Sequence, residues 1–237
     1  QVLEKLEKQG IRALNEDTDL SKSTIVIRAH GITPKRRQEL EASGAEISDA
    51  TCPRVKRVQS IIEENAKEGY FTIIVGDEGH AEVTGLLGYT DGKGYVVSSP
   101  DEVSRLPDME KICIVAQTTQ DMNTFALIAE KLKHRYKNHK VFDTICSSTS
   151  RRQEEVISLS EEVDAMIVVG GRGSANTNRL VQISEKKGVP AFLVETEHEL
   201  DLRKLAEYGV IGVTAGASTP NWLLERVVDK VQNYKGE

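Results

Sequence analysis

The 237-residue sequence contains no run of about 18 apolar residues, so it offers no transmembrane helix. It has only three cysteines, an odd number with no CxxC pair. That excludes a disulfide scaffold and fits a reducing, cytoplasmic compartment. A surplus of positive charge is also missing. Lys and Arg total 31 against 37 Asp and Glu, a formal net charge of −6, which argues against nucleic acid or an anionic membrane as the general partner. No linker is Gly/Ser-rich and no stretch is of low complexity. No signal peptide is expected from the first residues, since Gln1-Val2-Leu3-Glu4-Lys5 is already amphipathic and charged. The lack of an initiator Met, with a start inside a helical pattern, gives the expectation that the natural N-terminus lies upstream. Mean hydropathy of −0.38 and 29% charged residues are ordinary for a soluble globular chain. The length suits one large domain or two to three small ones.

What is present is one unit repeated: a short apolar strand, a small or polar elbow, then a helix. Ser23–Arg28 leads to Ala29-His30-Gly31 and a helix near Pro34–Ala42. Phe71–Val75 leads to Gly76-Asp77-Glu78-Gly79-His80 and then Ala81-Glu82. Ile112–Val115 leads to Ala116-Gln117-Thr118-Thr119 and a helix near Met122–His134. Ala165–Val169 leads to Gly170-Gly171-Arg172-Gly173-Ser174-Ala175-Asn176 and a helix through Leu180. Ile211–Thr214 leads to Ala215–Pro220 and a C-terminal helix. Short apolar strands alternating with helices predict parallel α/β units. In open α/β sheets ligands gather at the carboxyl ends of strands, where every one of these elbows falls.

Two elbows carry cysteine in near-copies of one context: Asp49-Ala50-Thr51-Cys52 and Asp143-Thr144-Ile145-Cys146. Each follows a strand-like run and precedes a basic amphipathic helix. Unpaired N–H groups and the helix dipole lower a thiol pKa at such a place, and low-pKa thiolates are metal ligands and redox groups. Cys113 sits inside an apolar strand and reads as core. His30 and His80 occupy matching elbows, which favours anion or metal contacts over a surface role. His134, His139 and His198 read as solvated.

Glu82 either complements a helix dipole or, if buried at a cleft, carries a proton. Gln117-Thr118-Thr119 is either helix capping or a hydroxyl relay. Gly171–Asn176 resembles the dinucleotide fingerprint GxGxxG with Asn176 in the last position, and Glu195 mimics the ribose-binding acid about 20 residues on; the broader reading is a phosphate cradle at a helix N-terminus. At the last elbow Thr219 is expected to cap, with Pro220 at the first helical position, leaving Ser218 free to face an anion. A zinc site of Cys52, Cys146, His30 and His80 is a weaker alternative because the spacings are long.

Taken together and in order, Ala29-His30-Gly31, Asp49–Pro53, Gly79-His80-Ala81-Glu82, Gln117-Thr118-Thr119, Ile145-Cys146, Ser174–Arg179 and Thr214–Ser218 resemble the LytB family of 4-hydroxy-3-methylbut-2-enyl diphosphate reductases. The resemblance runs from the first residues to the last helix. It implies three similar α/β domains around a pseudo-threefold axis with a central iron–sulfur site. The boundaries expected here are 1–51 for the remainder of a first domain, 52–143 for the second and 144–237 for the third. It further implies a [4Fe-4S] cluster held by three thiolates, Cys52 and Cys146 among them, with the third upstream of residue 1.

By the same resemblance, His30, His80, Ser174, Ala175, Asn176 and Ser218 bind the diphosphate. Thr118 and Glu82, with His80, position the hydroxyl and deliver protons. Ala175 stands where many relatives carry a second Ser. The implied reaction removes the allylic hydroxyl with two electrons and two protons, giving isopentenyl and dimethylallyl diphosphate in the last step of the non-mevalonate route. Ferredoxin or flavodoxin is the implied electron donor. A non-redox phosphate-binding module without a competent cluster and a dinucleotide-dependent oxidoreductase remain the alternatives.

Overall fold

Parallel strands buried on both faces read as unbroken apolar runs. Three runs here come close: β5 (Ile112–Ala116) and β7 (Ala165–Val169) are wholly apolar, and β3 (Phe71–Val75) is interrupted by Thr72 alone. In a computed structural model, which describes residues 2–15 and 18–234, each forms an inner strand of a parallel sheet. Gln1, part of the amphipathic start, lies outside the described residues.

The first sheet pairs β1 (Thr24–Ile27) with β2 (Glu46–Asp49). The chain reaches β1 from α1 (Val2–Lys8), crosses to β2 through α2 (Pro34–Ala42), and leaves through α3 (Pro53–Lys67). Thr33 caps α2 by accepting from the Arg36 N–H, and Pro34 sits at its start, as expected of such a sequence.

The second sheet has the order β4-β3-β5-β6, with β4 at Gly94–Val97 and β6 at His139–Val141. Its crossovers include α4 (Ala81–Leu87) and α5 (Met122–Arg135). After α6 (Ser147–Leu159), the third sheet has the order β8-β7-β9, with β8 at Ala191–Val194 and β9 at Ile211–Ala215. Helices α7 (Ala175–Lys186), α8 (Leu202–Leu205) and α9 (Asn221–Gln232) complete this unit. No helix among the described residues is long and apolar enough to cross a membrane.

Because side chains alternate along a strand, each of the two larger sheets separates two apolar layers. Ile73, Val75, Ile112 and Ile114 face one layer; Ile74, Cys113 and Val115 face the other. In the third sheet Ile167 and Val169 oppose Met166 and Val168. Strand β4 was not legible in the sequence, since Gly94-Tyr95-Val96-Val97 is a short, half-buried edge that lacks the apolar signature of a central strand.

Strand order places the ligand crevices. From β3 the chain winds outward to β4 and then returns to β5 on the other side. From β7 it winds to β8 and returns to β9. The switch points therefore lie between β3 and β5, and between β7 and β9, at their carboxyl ends.

Candidate functional site

The first switch point brings together the elbows after β3 and β5. His80 is the N-cap of α4, and its Nδ1 accepts from the Glu82 N–H at 3.2 Å. That bond leaves Nε2 as the nitrogen that carries the proton of the neutral ring. Glu82 follows in the first turn and is 2% exposed. Its Oε1 accepts from the Thr118 N–H at 2.6 Å, and its Oε2 lies 2.7 Å from the Thr118 hydroxyl. Burial raises the carboxyl pKa, and the two Thr118 bonds only partly oppose that. Glu82 is thus a buried carboxyl set against a hydroxyl, the condition under which the proton-carrying reading applies. Gln117 is fully buried, accepts from the Asp77 N–H at 2.8 Å and donates to Thr119 Oγ1 at 2.9 Å, which locks the two elbows together.

His30 arrives from the elbow after β1. Its ring meets that of His80 edge to face, with centroids 5.2 Å apart. Burial lowers the pKa of both rings. Arg28 and His80 add to the effect on His30, while for His80 the nearby Asp77 partly opposes it and Arg28 adds to it. Both imidazoles are thus biased toward neutrality. His30 Nδ1 is buried without a partner. Gly31, at φ +71°, makes the turn beside it, and an added Cβ would lie 2.6 Å from Gln59 Nε2, so only glycine fits there.

The second switch point carries Ser174, the N-cap of α7, whose Oγ accepts from the Thr177 N–H at 3.3 Å. Ala175 opens the helix. Asn176 is 4% exposed, yet neither its Oδ1 nor its Nδ2 has a partner. Buried amides are rarely left unpaired, so this one stands out as a candidate ligand contact. Ser218 lies exposed in the turn after β9. Thr219 does not cap α9. Its hydroxyl donates to the Val169 carbonyl at 3.0 Å, and Pro220 occupies the N-cap position, one residue earlier than expected. Glu195 accepts from the Arg172 N–H at 2.7 Å, so it braces the glycine loop itself rather than standing free for a ribose.

The cysteine repeat is reproduced atom for atom. Asp49 Oδ1 accepts from the Thr51 N–H at 3.0 Å, and Asp143 Oδ1 accepts from the Ile145 N–H at 3.1 Å. The Cys52 N–H donates to the Ala29 carbonyl at 3.0 Å, and the Cys146 N–H to that of Thr118 at 2.9 Å. Both cysteines are free, partly exposed N-caps, of α3 and α6, whose sulfurs cap no helix N–H. Burial works to raise the Cys146 pKa. The Ser148 hydroxyl 3.0 Å away, the N–H groups of Ser148 and Thr149, and Arg54 outweigh it and bring the pKa down. Arg54 belongs to the first turn of α3, so the two thiol elbows are neighbours; a cleft lined by Arg54, Arg57, Asp143 and Ile145 runs beside them.

Cys113 is fully buried and pushed up to about 12 by burial, consistent with core. Among the described residues no three His, Cys, Asp or Glu side chains converge as a metal site, so the four-donor zinc arrangement is not formed. His134 and His198 are solvated as expected. His139 is not: it opens β6 half-buried, with Nδ1 2.8 Å from the Tyr136 carbonyl. Arg152 is also committed, donating to the Ala215 carbonyl at 3.1 Å. Sequence reasoning missed Asp77 and Arg179, which pair across the two switch points, and Thr177, which packs into the glycines after β7 and β9.

These features define a parallel α/β protein whose strand-end elbows gather two imidazoles, a buried carboxyl and two free, partly exposed thiols. Residues 1–232 match the family described as LytB protein. The chain belongs to that family. It is 43% identical over 241 residues to the 4-hydroxy-3-methylbut-2-enyl diphosphate reductase of Caldanaerobacter subterraneus subsp. tengcongensis, an alignment that spans 100% of this chain and 83% of that one. A solved reductase from Plasmodium falciparum superposes with a TM-score of 0.91 at 33% identity, covering 98% of this chain and 74% of that chain. A second, described as the terminal enzyme of the non-mevalonate pathway, superposes at 0.66 with 38% identity, covering 98% and 83%.

Proposed function

We propose that this chain is an iron–sulfur reductase that removes the allylic hydroxyl of 4-hydroxy-3-methylbut-2-enyl diphosphate. Two electrons and two protons convert the C–O bond to C–H and release water, giving isopentenyl and dimethylallyl diphosphate. The observation that carries this reading is the buried Glu82–Thr118 pair, set at the same crevice as the paired imidazoles. Hydroxide is a poor leaving group until protonated, and burial raises the Glu82 pKa, which favours the protonated carboxyl. The Thr118 hydroxyl donates to Glu82 Oε2 at 2.7 Å; a proton on that oxygen would reverse the bond and turn the threonine proton toward the substrate oxygen.

His30 and His80, the unpartnered Asn176 amide, Ser174, the Ala175 N–H and Ser218 would share the diphosphate oxygens. The thiols fit an iron–sulfur group: both are free, and Ser148 and Arg54 favour the Cys146 thiolate. Cys52 and Cys146 would hold a [4Fe-4S] cluster together with a third thiolate that the resemblance places upstream of residue 1. That cluster, when bound, supplies electrons and a Lewis-acidic iron. Reduced ferredoxin or flavodoxin would deliver the electrons in the cytoplasm.

The test is anaerobic loading with iron and sulfide, followed by turnover of the allylic diphosphate with a reduced one-electron donor. Both products should appear, and Cys52→Ser and Cys146→Ser should each lose iron. A fully loaded protein that leaves the substrate intact overturns the reading. A cluster-free phosphate-binding module is the second reading, which the unpartnered Asn176 amide would serve without any metal. It requires diphosphate binding with no iron uptake by the wild type.

A further inference from the structure

Arg179 lies one turn into α7, three residues after Asn176 and so on the same face of the helix. Asp77 lies in the elbow after β3, and its carbonyl accepts from the His80 N–H at 3.1 Å. The Arg179 guanidinium donates through Nη2 to both Asp77 oxygens, at 3.1 and 3.3 Å, across 102 positions of sequence. Among the described residues it is the one ion pair that joins the elements of the four-stranded sheet to those of the β8-β7-β9 sheet.

The pair is a poor device for stability alone. Only one guanidinium nitrogen reaches the carboxylate, Arg179 Nε is buried with no partner, and Asp77 is 43% exposed, where solvent screens it. Its placement is what distinguishes it. Asp77 is also held through its N–H by Gln117, the residue next to Thr118. The pair therefore ties the His80, Glu82 and Thr118 elbows to the Ser174–Asn176 cradle, across a cleft of about 320 Å³ lined by Asp77, His80, Ala175 and Arg179.

We propose that Asp77 and Arg179 form a positioning clasp that sets the separation of the two halves of the anion crevice. This rests on the reading of that crevice as a diphosphate site. Neither residue touches the reacting atoms; each acts through the elbow it holds.

The test combines calorimetric titration of inorganic diphosphate with amide hydrogen exchange on wild type, Asp77→Asn, Arg179→Gln, the double variant and Arg179→Lys. Each charge-removing single variant should weaken diphosphate binding on the order of tenfold, and the double variant no further, as for residues coupled through one contact. Arg179→Lys, which keeps the charge and the helix, should recover most of the affinity. Each single variant should also speed exchange in the elbow it does not belong to, residues 77–82 for Arg179→Gln and residues 174–180 for Asp77→Asn. Exchange confined to the mutated element, or unchanged affinity, overturns the clasp while leaving the diphosphate reading in place. Failure of the wild type to bind diphosphate removes that reading, and the exchange pattern then decides the clasp alone.

Discussion

The Cys146 N–H donates to the Thr118 carbonyl at 2.9 Å, and the Thr118 hydroxyl lies 2.7 Å from Glu82 Oε2. One threonine therefore spaces a thiol from a buried carboxyl. The equivalent bond from Cys52 goes to Ala29, the neighbour of His30. Each cysteine elbow is registered by its backbone against a residue at or next to the imidazoles and the buried carboxyl, so the thiols are tied to those groups by main-chain hydrogen bonds.

Glu82→Gln keeps the size of the side chain and an acceptor for the Thr118 N–H but removes the titrating proton. Turnover should fall about 10²–10⁴-fold while iron content stays unchanged. Stability should move the other way with pH. Burial raises the Glu82 pKa above its ordinary 4.5, so the native state binds that proton more tightly than the unfolded chain. Its contribution is fully present below 4.5 and is lost as pH rises through the raised value. Melting temperatures of the variant and wild type, measured from pH 4 to 8, should diverge in favour of Glu82→Gln as pH increases. A constant difference would show that Glu82 titrates as an ordinary carboxyl.

Burial lowers both His30 and His80 from 6.5, which favours neutral rings near pH 7. A diphosphate adjacent to both rings favours their charged forms. Binding should then take up protons, and affinity should rise as pH falls from 8 to 6. Calorimetry in two buffers of different ionisation enthalpy measures the uptake, and His80→Gln should remove part of it. Heats that do not depend on the buffer would place the anion away from the histidines.

Asn176→Ala separates binding from folding. The amide makes no hydrogen bond, so its loss removes buried polar atoms whose lack of partners costs about 1–3 kcal/mol, and this offsets the lost packing. The melting temperature should be unchanged or higher. Hydrogen bonds to a charged partner contribute about 1.5–3 kcal/mol, so diphosphate affinity should drop about 10- to 100-fold. A destabilised variant with normal affinity would make Asn176 a core residue only.

The parallel α/β class was legible because β5 and β7 are continuous apolar runs and β3 is nearly so, each ending at a polar elbow. The cysteine elbows were legible because the Asp-x-x-Cys repeat encodes a local turn whose hydrogen bonds span two residues. Long-range partners left no such mark. Asp77 and Arg179 each look like an ordinary loop or helix charge until the tertiary fold sets the elbow after β3 against α7 of the next sheet. Thr219 shows the same limit: it reads as a cap, but the Val169 carbonyl, 50 positions away, takes its hydroxyl. Strand β4 is short and packs by one edge, so its pattern is too weak to separate from a loop.

Gly216 tests how tightly the anion cradle is built. The residue follows β9, and its N–H is fixed to the Val169 carbonyl at 2.9 Å. An added Cβ would lie 2.2 Å from Thr177 Oγ1, in the first turn of α7, far inside contact distance. The backbone is held by the sheet, so the helix must give. Gly216→Ala should cost about 1–3 kcal/mol, a fall of about 2–12 °C in melting temperature for a chain of this size. It should also weaken diphosphate binding, because Asn176 shifts with Thr177. The second substitution decides the cause. With Thr177→Ala the nearest atoms to the new Cβ become Thr177 Cβ and Thr219 Oγ1, each at 3.4 Å, which is ordinary contact. The double variant should therefore match Thr177→Ala alone in both melting temperature and affinity. If Gly216→Ala remains equally costly in the Thr177→Ala background, the requirement for glycine lies in the turn itself and not in the approach of α7.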